Sequence, residues 1–394
     1  MKRSAIAVFV LLIILAGGAL HASTNSPRGG SRYIPWDFAT FAAPNSESQR
    51  TGRFSPQTVS YTEDNGDGWI LINTYRGPGW VYYREPLVNI VTITISAAGD
   101  TTLGGDNRWA GYHAFMREFE RSGRDHSHFL SNVTHIFEAD DLTILNLEGT
   151  LTYATEHMDK EFVFRGPPHF AQILSSSSVD VVTIANNHTV DFFDRGYRDT
   201  REALRAEGVA YFGNEFNTIM EINGIRVGLF GHRIWSDTTF NRNRITAAIE
   251  DLQDRGAQLV IAYYHWGVER NNHPEPYQIS IGRFTIDQGA HLVLGAHPHV
   301  IQGIEEHDGY HIVYSLANFS FGGNSNPPDQ DSFIFQQTFT FHDGVLQPEI
   351  DVNIIPIFVS SVRYRNDFQP TVAEGAEAKR ILERIRAYSE RLGR

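Results

Sequence analysis

Six polar clusters in this 394-residue chain each follow a short apolar run. Gly99-Asp100 follows ITISAA, Glu148 follows LTILNL, and Asn186-Asn187-His188 follows VDVVTIA. His265-Trp266-Gly267 follows LVIAYY, His297-Pro298-His299 follows HLVLGA, and Asn318-Phe319 follows IVYSLA. Open α/β sheets bind ligands outside the carboxyl ends of their strands, so strand-end clusters of this kind converge on one rim. That rim carries Asp100, Glu148, Asn187, His265, His297 and His299: two carboxylates, one amide oxygen and three imidazoles. The mixture suits Zn²⁺, Mn²⁺ or Fe, whereas Ca²⁺ and Mg²⁺ prefer all-oxygen shells. Six groups exceed the needs of one tetrahedral ion, so the set reads as a site for one or two divalent ions. In the two-metal form a carboxylate, Glu148 or Asp100, bridges ions about 3.5–4 Å apart. Such a pair activates water and holds the charge of an in-line displacement at phosphorus or of a tetrahedral carbonyl intermediate. His188, beside the ligand Asn187, is left to act as general acid. His297-Pro298-His299 reads as an extended segment whose two imidazoles reach different ions.

Each cluster alone has an ordinary reading: a strand-end turn for Gly99-Asp100, a helix N-cap for Asn186-Asn187, a half-buried pair for His265-Trp266. Their shared position is what favours chemistry. Asn146, Arg165 and Asn318 are the candidate substrate contacts, Arg233 and Arg270 are further candidate cations, and His232, after an LFG run, is a candidate to line the site.

The elements needed to position these groups are legible. Strand-like runs at 88–98, 142–147, 179–185, 225–231, 259–264, 291–295 and 312–316 alternate with amphipathic stretches at 110–121, 168–175, 194–207, 244–255 and 276–288. That alternation predicts an α/β domain with a parallel or mixed sheet. Two more strands are expected within 332–358, and a charged helix at 371–392. Residues 23–57, rich in Ser, Pro, Gly and Asn, read as linker. Residues 58–88 read as a small β module with a hairpin around Arg76-Gly77-Pro78-Gly79. The domain limits are therefore 1–22, 23–57, 58–88, 89–360 and 361–394.

Residues 1–22 combine Lys2 and Arg3 with an apolar run from Ala5 to Leu20. This predicts a signal peptide or N-terminal anchor, and an extracytoplasmic body, secreted, periplasmic or held at the membrane. The chain has 46 acidic and 33 basic residues, for a formal charge of −13. That balance argues against nucleic-acid binding, which needs a basic face. The absence of Cys excludes disulfide scaffolds, thiolate metal sites and thiol catalysis, so any transition metal here is held by nitrogen and oxygen.

Six ordered blocks carry a resemblance. They are GDTTLGGD (99–106), NLEGTLT (146–152), ANNHTVDFFDRGYRDTREAL (185–204), HWGVE (265–269), GAHPHVIQGIE (295–305) and YSLANFSFG (314–322). Together, over about residues 90–325, they resemble the capsule-synthesis CapA family. The resemblance implies a fold similar to calcineurin-like metallophosphoesterases, a β-sandwich flanked by helices, here with a small N-terminal β extension. It also implies a link to poly-γ-glutamate capsule synthesis or processing at the outer face of the membrane, within a membrane-bound synthesis complex. Matched residue by residue, Asp100 stands for the superfamily's first metal aspartate and Glu148 for its bridging carboxylate. Asn187 and His188 match its Asn-His pair, His265 its lone ligand histidine, and His297 and His299 its final pair. Thr102 stands where a ligand His is usual and Glu148 where an Asp is usual; CapA-like chains share both departures, which leave one metal position a ligand short. Two functions are implied: a metal-dependent hydrolase acting on a phosphoester or an acidic polymer, or a non-catalytic component that binds a polyanion.

Overall fold

Strands of the computed structural model fall into two compact units, each described here by itself; the residues described are 30–34, 36–83, 90–342 and 344–392. The segment 1–22 lies outside them. Among the described residues no helix is long and apolar enough to cross a membrane.

The first unit is a six-stranded antiparallel sheet. Its strands are Gly30–Ile34, Phe38–Phe41, Arg50–Phe54, Gln57–Asp64, Trp69–Thr74 and Gly77–Tyr82. The linker reading of 23–57 is thus corrected, since three strands lie in residues 30–54. Their polar composition hides a sparse alternating core, in which Ile34 and Phe38 are buried with Val59, Ile70, Ile72 and Val81. The hairpin turn is Tyr75-Arg76 rather than the Gly-Pro-Gly run, because Thr74 pairs with Gly77 and Pro78 already lies in the returning strand.

The second unit is built on two mixed sheets. One runs in the order 210–212, 181–183, 142–147, 90–102, 331–342, 345–358, 371–372, with Asn318–Phe321 also pairing with Ile90–Thr102. The other runs 218–222, 225–234, 259–266, 292–296, 310–313, 304–307. Alternation decides what each face does. Ile93, Ile95, Leu142, Ile144 and Val181 of the first sheet pack with Val227, Leu229, Leu259, Ile261 and Leu294 of the second in one core. Each such side chain contributes about 1.5–3 kcal/mol by leaving water. The intervening residues face outward onto helices. Leu145 and Val182 meet Ala110–Arg121, Ala171–Ser175 and Phe193–Ala206, while Val260, Ala262 and Tyr264 meet Thr239–Asp254 and Pro276–Asp287. The expected sandwich flanked by helices is the architecture observed. The C-terminal helix, Gly375–Ser389, is shorter than the expected 371–392; Ile381 and Ile385 place it on the inter-sheet core, within this unit rather than beyond it.

Candidate metal centre

The inter-sheet face changes from apolar to polar at the carboxyl ends of the strands. In Leu259–Trp266, residues 259, 261 and 263 belong to the core, and His265 continues the same face. In Leu142–Leu147, Leu142 and Ile144 lead in the same way to Asn146. Asp100 reaches this face by a bulge. Ala97 pairs with Ile144 and Asp100 with Asn146, so three steps on one strand match two on its neighbour. The extra residue reverses the alternation and turns Asp100 inward. Gly99 makes room for it, since a Cβ there would lie 1.9 Å from the Ala317 carbonyl oxygen. The Asp100 N–H donates to that same oxygen at 2.9 Å, which sets Asn318 beside Asp100.

Three groups of ligand-type atoms come together, each within 4.8 Å: Glu148-His265-His297, Asp100-Glu148-His299, and Glu269-His297-His299. Glu148, His297 and His299 are each common to two of them. The remaining bonds orient the set. The Asn146 amide donates to Asp100 Oδ1 at 2.7 Å, and Asn186 fixes that amide by donating to its oxygen at 3.1 Å and to the Leu147 carbonyl at 2.8 Å. Asn187 Oδ1 lies 2.7 Å from His265 Nε2. His299 Nδ1 lies 2.9 Å from Asp100 Oδ2 and 3.0 Å from Asn318 Oδ1. The 297–299 segment is not extended: His297 has φ 96° and His299 φ 58°, both left-handed and costly for non-glycine residues. The His297 N–H bond to Asp100 Oδ2 (3.1 Å) and the Arg270 N–H bond to the Pro298 carbonyl (2.8 Å) hold this shape.

The residues fit a cation. Both carboxylate oxygens of Glu148 are buried and lack any hydrogen-bond donor, as does Nδ1 of His297. Burial, and then the Asp100 charge, push Glu148 well above the usual carboxylate range. His299 rises to about 10, because Glu148 and Asp100 outweigh the opposing effect of burial. Burial and neighbouring imidazoles push His265 well below its ordinary value and His297 down to about 4. His299 therefore holds a proton that a divalent ion would displace, while His265 and His297 offer neutral lone pairs.

His188 is held differently. Its Nδ1 lies 2.6 Å from Asp191 Oδ2, and Lys160 Nζ lies 2.6 Å from the other Asp191 oxygen. Its ring stacks on Phe164 at 4.0 Å, and its Nε2 is 3.9 Å from Glu148. Burial lowers its pKa against the pull of Asp191. A neutral ring with its proton on Nδ1 presents a bare Nε2 to the site.

Two of the expected residues sit apart from this set. Arg165 donates to the Ala154 carbonyl and lies over the Phe192 ring. His232 pairs with Tyr264 while Arg233 pairs with His265, so alternation turns His232 toward the helices, where Arg244 donates to it at 2.9 Å. Glu269, Asp191 and Lys160 were missed. Glu269 sits in the HWGVE block and Asp191 three residues after His188, spacings that carry no strand-end signal. Thr102, at the position where a ligand His is usual, donates to the Glu148 carbonyl at 2.9 Å.

Residues 94–323 match the family described as bacterial capsule synthesis protein PGA_cap, more than half of the chain and all of the cluster. The chain belongs to this family. It is similar to the PGA biosynthesis protein CapA of Bacillus subtilis (strain 168), 28% identical over 210 residues, 48% of this chain and 55% of that protein. It is also similar to the capsule biosynthesis protein CapA of Bacillus anthracis, 26% identical over 259 residues, 58% of this chain and 60% of that protein. A probable polyglutamine synthesis accessory protein of Mycobacterium tuberculosis is 24% identical over 266 residues, 59% of this chain and 69% of that protein. The matched stretch thus spans little more than half the length of the two Bacillus proteins. The family resemblance read from the six blocks agrees with these matches.

Proposed function

We propose that this PGA_cap-family chain is an exported, metal-dependent hydrolase of capsule or poly-γ-glutamate synthesis or processing, acting on a phosphoester or an acidic polymer. The observation that carries the reading is Glu148, a buried carboxylate with no donor on either oxygen, at the junction of two ligand groups. Asp100, Glu148, Asn187, His265, His297 and His299 would hold one or two ions, with Glu269 as a further carboxylate. When bound, a divalent cation supplies Lewis acidity, polarising a phosphoryl or carbonyl oxygen and making water more acidic. Asp191 keeps the Nδ1 proton of His188 in place, and Lys160 holds the Asp191 carboxylate in position. His188 accordingly accepts a proton at Nε2 first and returns it to the leaving group afterwards. Phe164, stacked on the ring, keeps water off its face. Asn318 orients His299, and Asn146 orients Asp100. The capsule assignment rests on family membership and on the names of the relatives; the export assignment rests on the sequence of residues 1–22.

Hydrolysis assays on Mn²⁺-, Zn²⁺- and Fe²⁺-loaded protein, with phosphoesters and with γ-linked polyglutamate, test the reading. Turnover of either class, lost in Glu148→Gln, is expected. A fully loaded protein that turns over neither overturns the hydrolase role and leaves the polyanion-binding role. Cell fractionation tests export, and cytoplasmic recovery overturns it.

A further inference from the structure

A cavity of about 130 Å³ opens beside His188, His299 and Asn318. One side of it is rings and aliphatic carbons, Phe162, Phe164, Phe321, Val300, Pro327 and Pro328, and the other side is polar. The rings form a continuous series from the surface inward. Trp109, itself exposed, lies 5.4 Å from Phe162, Phe162 lies 6.3 Å from Phe164, and Phe321 lies 5.9 Å from Phe164 and 5.0 Å from His299. Among the described residues, Arg270 is the one arginine or lysine on the lining. Of the acidic lining groups, Asp329 is neutralised by Arg384 at 2.5 Å, and Glu269 belongs to a ligand group.

We infer that this cavity holds the organic part of a phosphoester whose alcohol carries a flat, apolar ring, with the phosphoryl group toward the metal cluster and Arg270. The inference rests on the metal-dependent reading above and selects between its two substrate classes. An acidic polymer carries a carboxylate on every unit, and a wall of phenyl and proline carbon with a single arginine leaves most of those charges unpaired. One anion attached to one ring matches one arginine beside a series of tilted and edge-on aromatic rings. Phe162 makes a clean probe, because its side chain is 37% exposed and its truncation leaves the core intact.

The test is calorimetric, on the Mn²⁺-loaded full chain, with phenylphosphonate and methylphosphonate, which are not hydrolysed, and a γ-linked glutamate oligomer as competitor. Metal content is measured on the same samples. Phenylphosphonate is expected to bind about tenfold more tightly than methylphosphonate, the scale of one ring stacked in an aromatic site. Phe162→Ala is expected to weaken phenylphosphonate more than methylphosphonate, and the oligomer is expected not to displace either. Equal affinities, equal weakening by Phe162→Ala, or displacement by the oligomer overturns the inference while metal binding stands. No phosphonate binding to metal-loaded protein also overturns it. A sample that takes up no metal overturns both this inference and the reading beneath it.

Discussion

Glu148 sets the energetics of the site at the level of single residues. Buried beside Asp100 without a donor, it costs the metal-free fold stability, the usual signature of a group retained for function. Its folded-state pKa is raised, so its own contribution to metal-free stability is fully present below the unfolded value of about 4.3 and is lost as pH rises through the folded-state value. In chelator at pH 7, Glu148→Gln is therefore expected to raise unfolding free energy by about 1–3 kcal/mol. Denaturant titrations check this, and the gain is expected to vanish at pH 4. His188→Ala is expected to lower turnover about 10²–10⁴-fold with metal content unchanged, measured as kcat beside elemental analysis. The strand-end residues were legible in the sequence because chemistry in α/β folds collects there. Glu269, Asp191 and Lys160 were not, because loops bring them in without a periodic signal. His232 was readable as a candidate to line the site, and only the parity of its strand turns it away.

Elements contribute through small departures from regularity. The bulge between Ala97 and Asp100 is invisible to hydrophobic pattern, yet it decides whether Asp100 faces core helices or the buried His and Glu cluster. Gly99→Ala, driven against the Ala317 carbonyl, is expected to cost about 1–3 kcal/mol and to weaken metal affinity; thermal melts with and without metal check both. Regular strands and helices were read nearly to their ends. The strands of 30–54 were missed because alternate Ser, Thr, Gly and Arg positions mask a thin core. The C-terminal helix is fastened by charge as well as by Ile381 and Ile385. Arg380 makes two bonds to Asp331, at 2.6 and 2.7 Å, and Arg384 binds Asp331 at 2.8 Å and Asp329 at 2.5 Å. Burial would raise the Asp331 pKa, and the two arginines overcome it and lower it. The clamp is thus complete above about pH 4 and is lost as pH falls further. Asp331→Asn is expected to cost about 1–3 kcal/mol at pH 7 and less at pH 3, read from urea midpoints across that range.

At the scale of the whole molecule, two sheets share an apolar core and open it into a polar site at one end. Every proposed ligand lies between residues 100 and 299, inside the 90–394 unit. A chain beginning at residue 90 is therefore expected to bind as much metal as the full chain, checked by elemental analysis of both. The fold class was readable because strand and helix periods alternate plainly; the pairing of strand 331–342 with 90–102 was not, since adjacency across about 240 residues leaves no local mark. The central claim is that the buried cluster is a cation site. Its most direct measurement is metal stoichiometry of the purified full chain after loading with Mn²⁺, Zn²⁺ or Fe²⁺ and desalting, beside Glu148→Gln and His299→Ala. One or two ions per chain, lost in both variants, is the expected result. Wild-type protein that retains no stoichiometric metal under any loading condition contradicts the account.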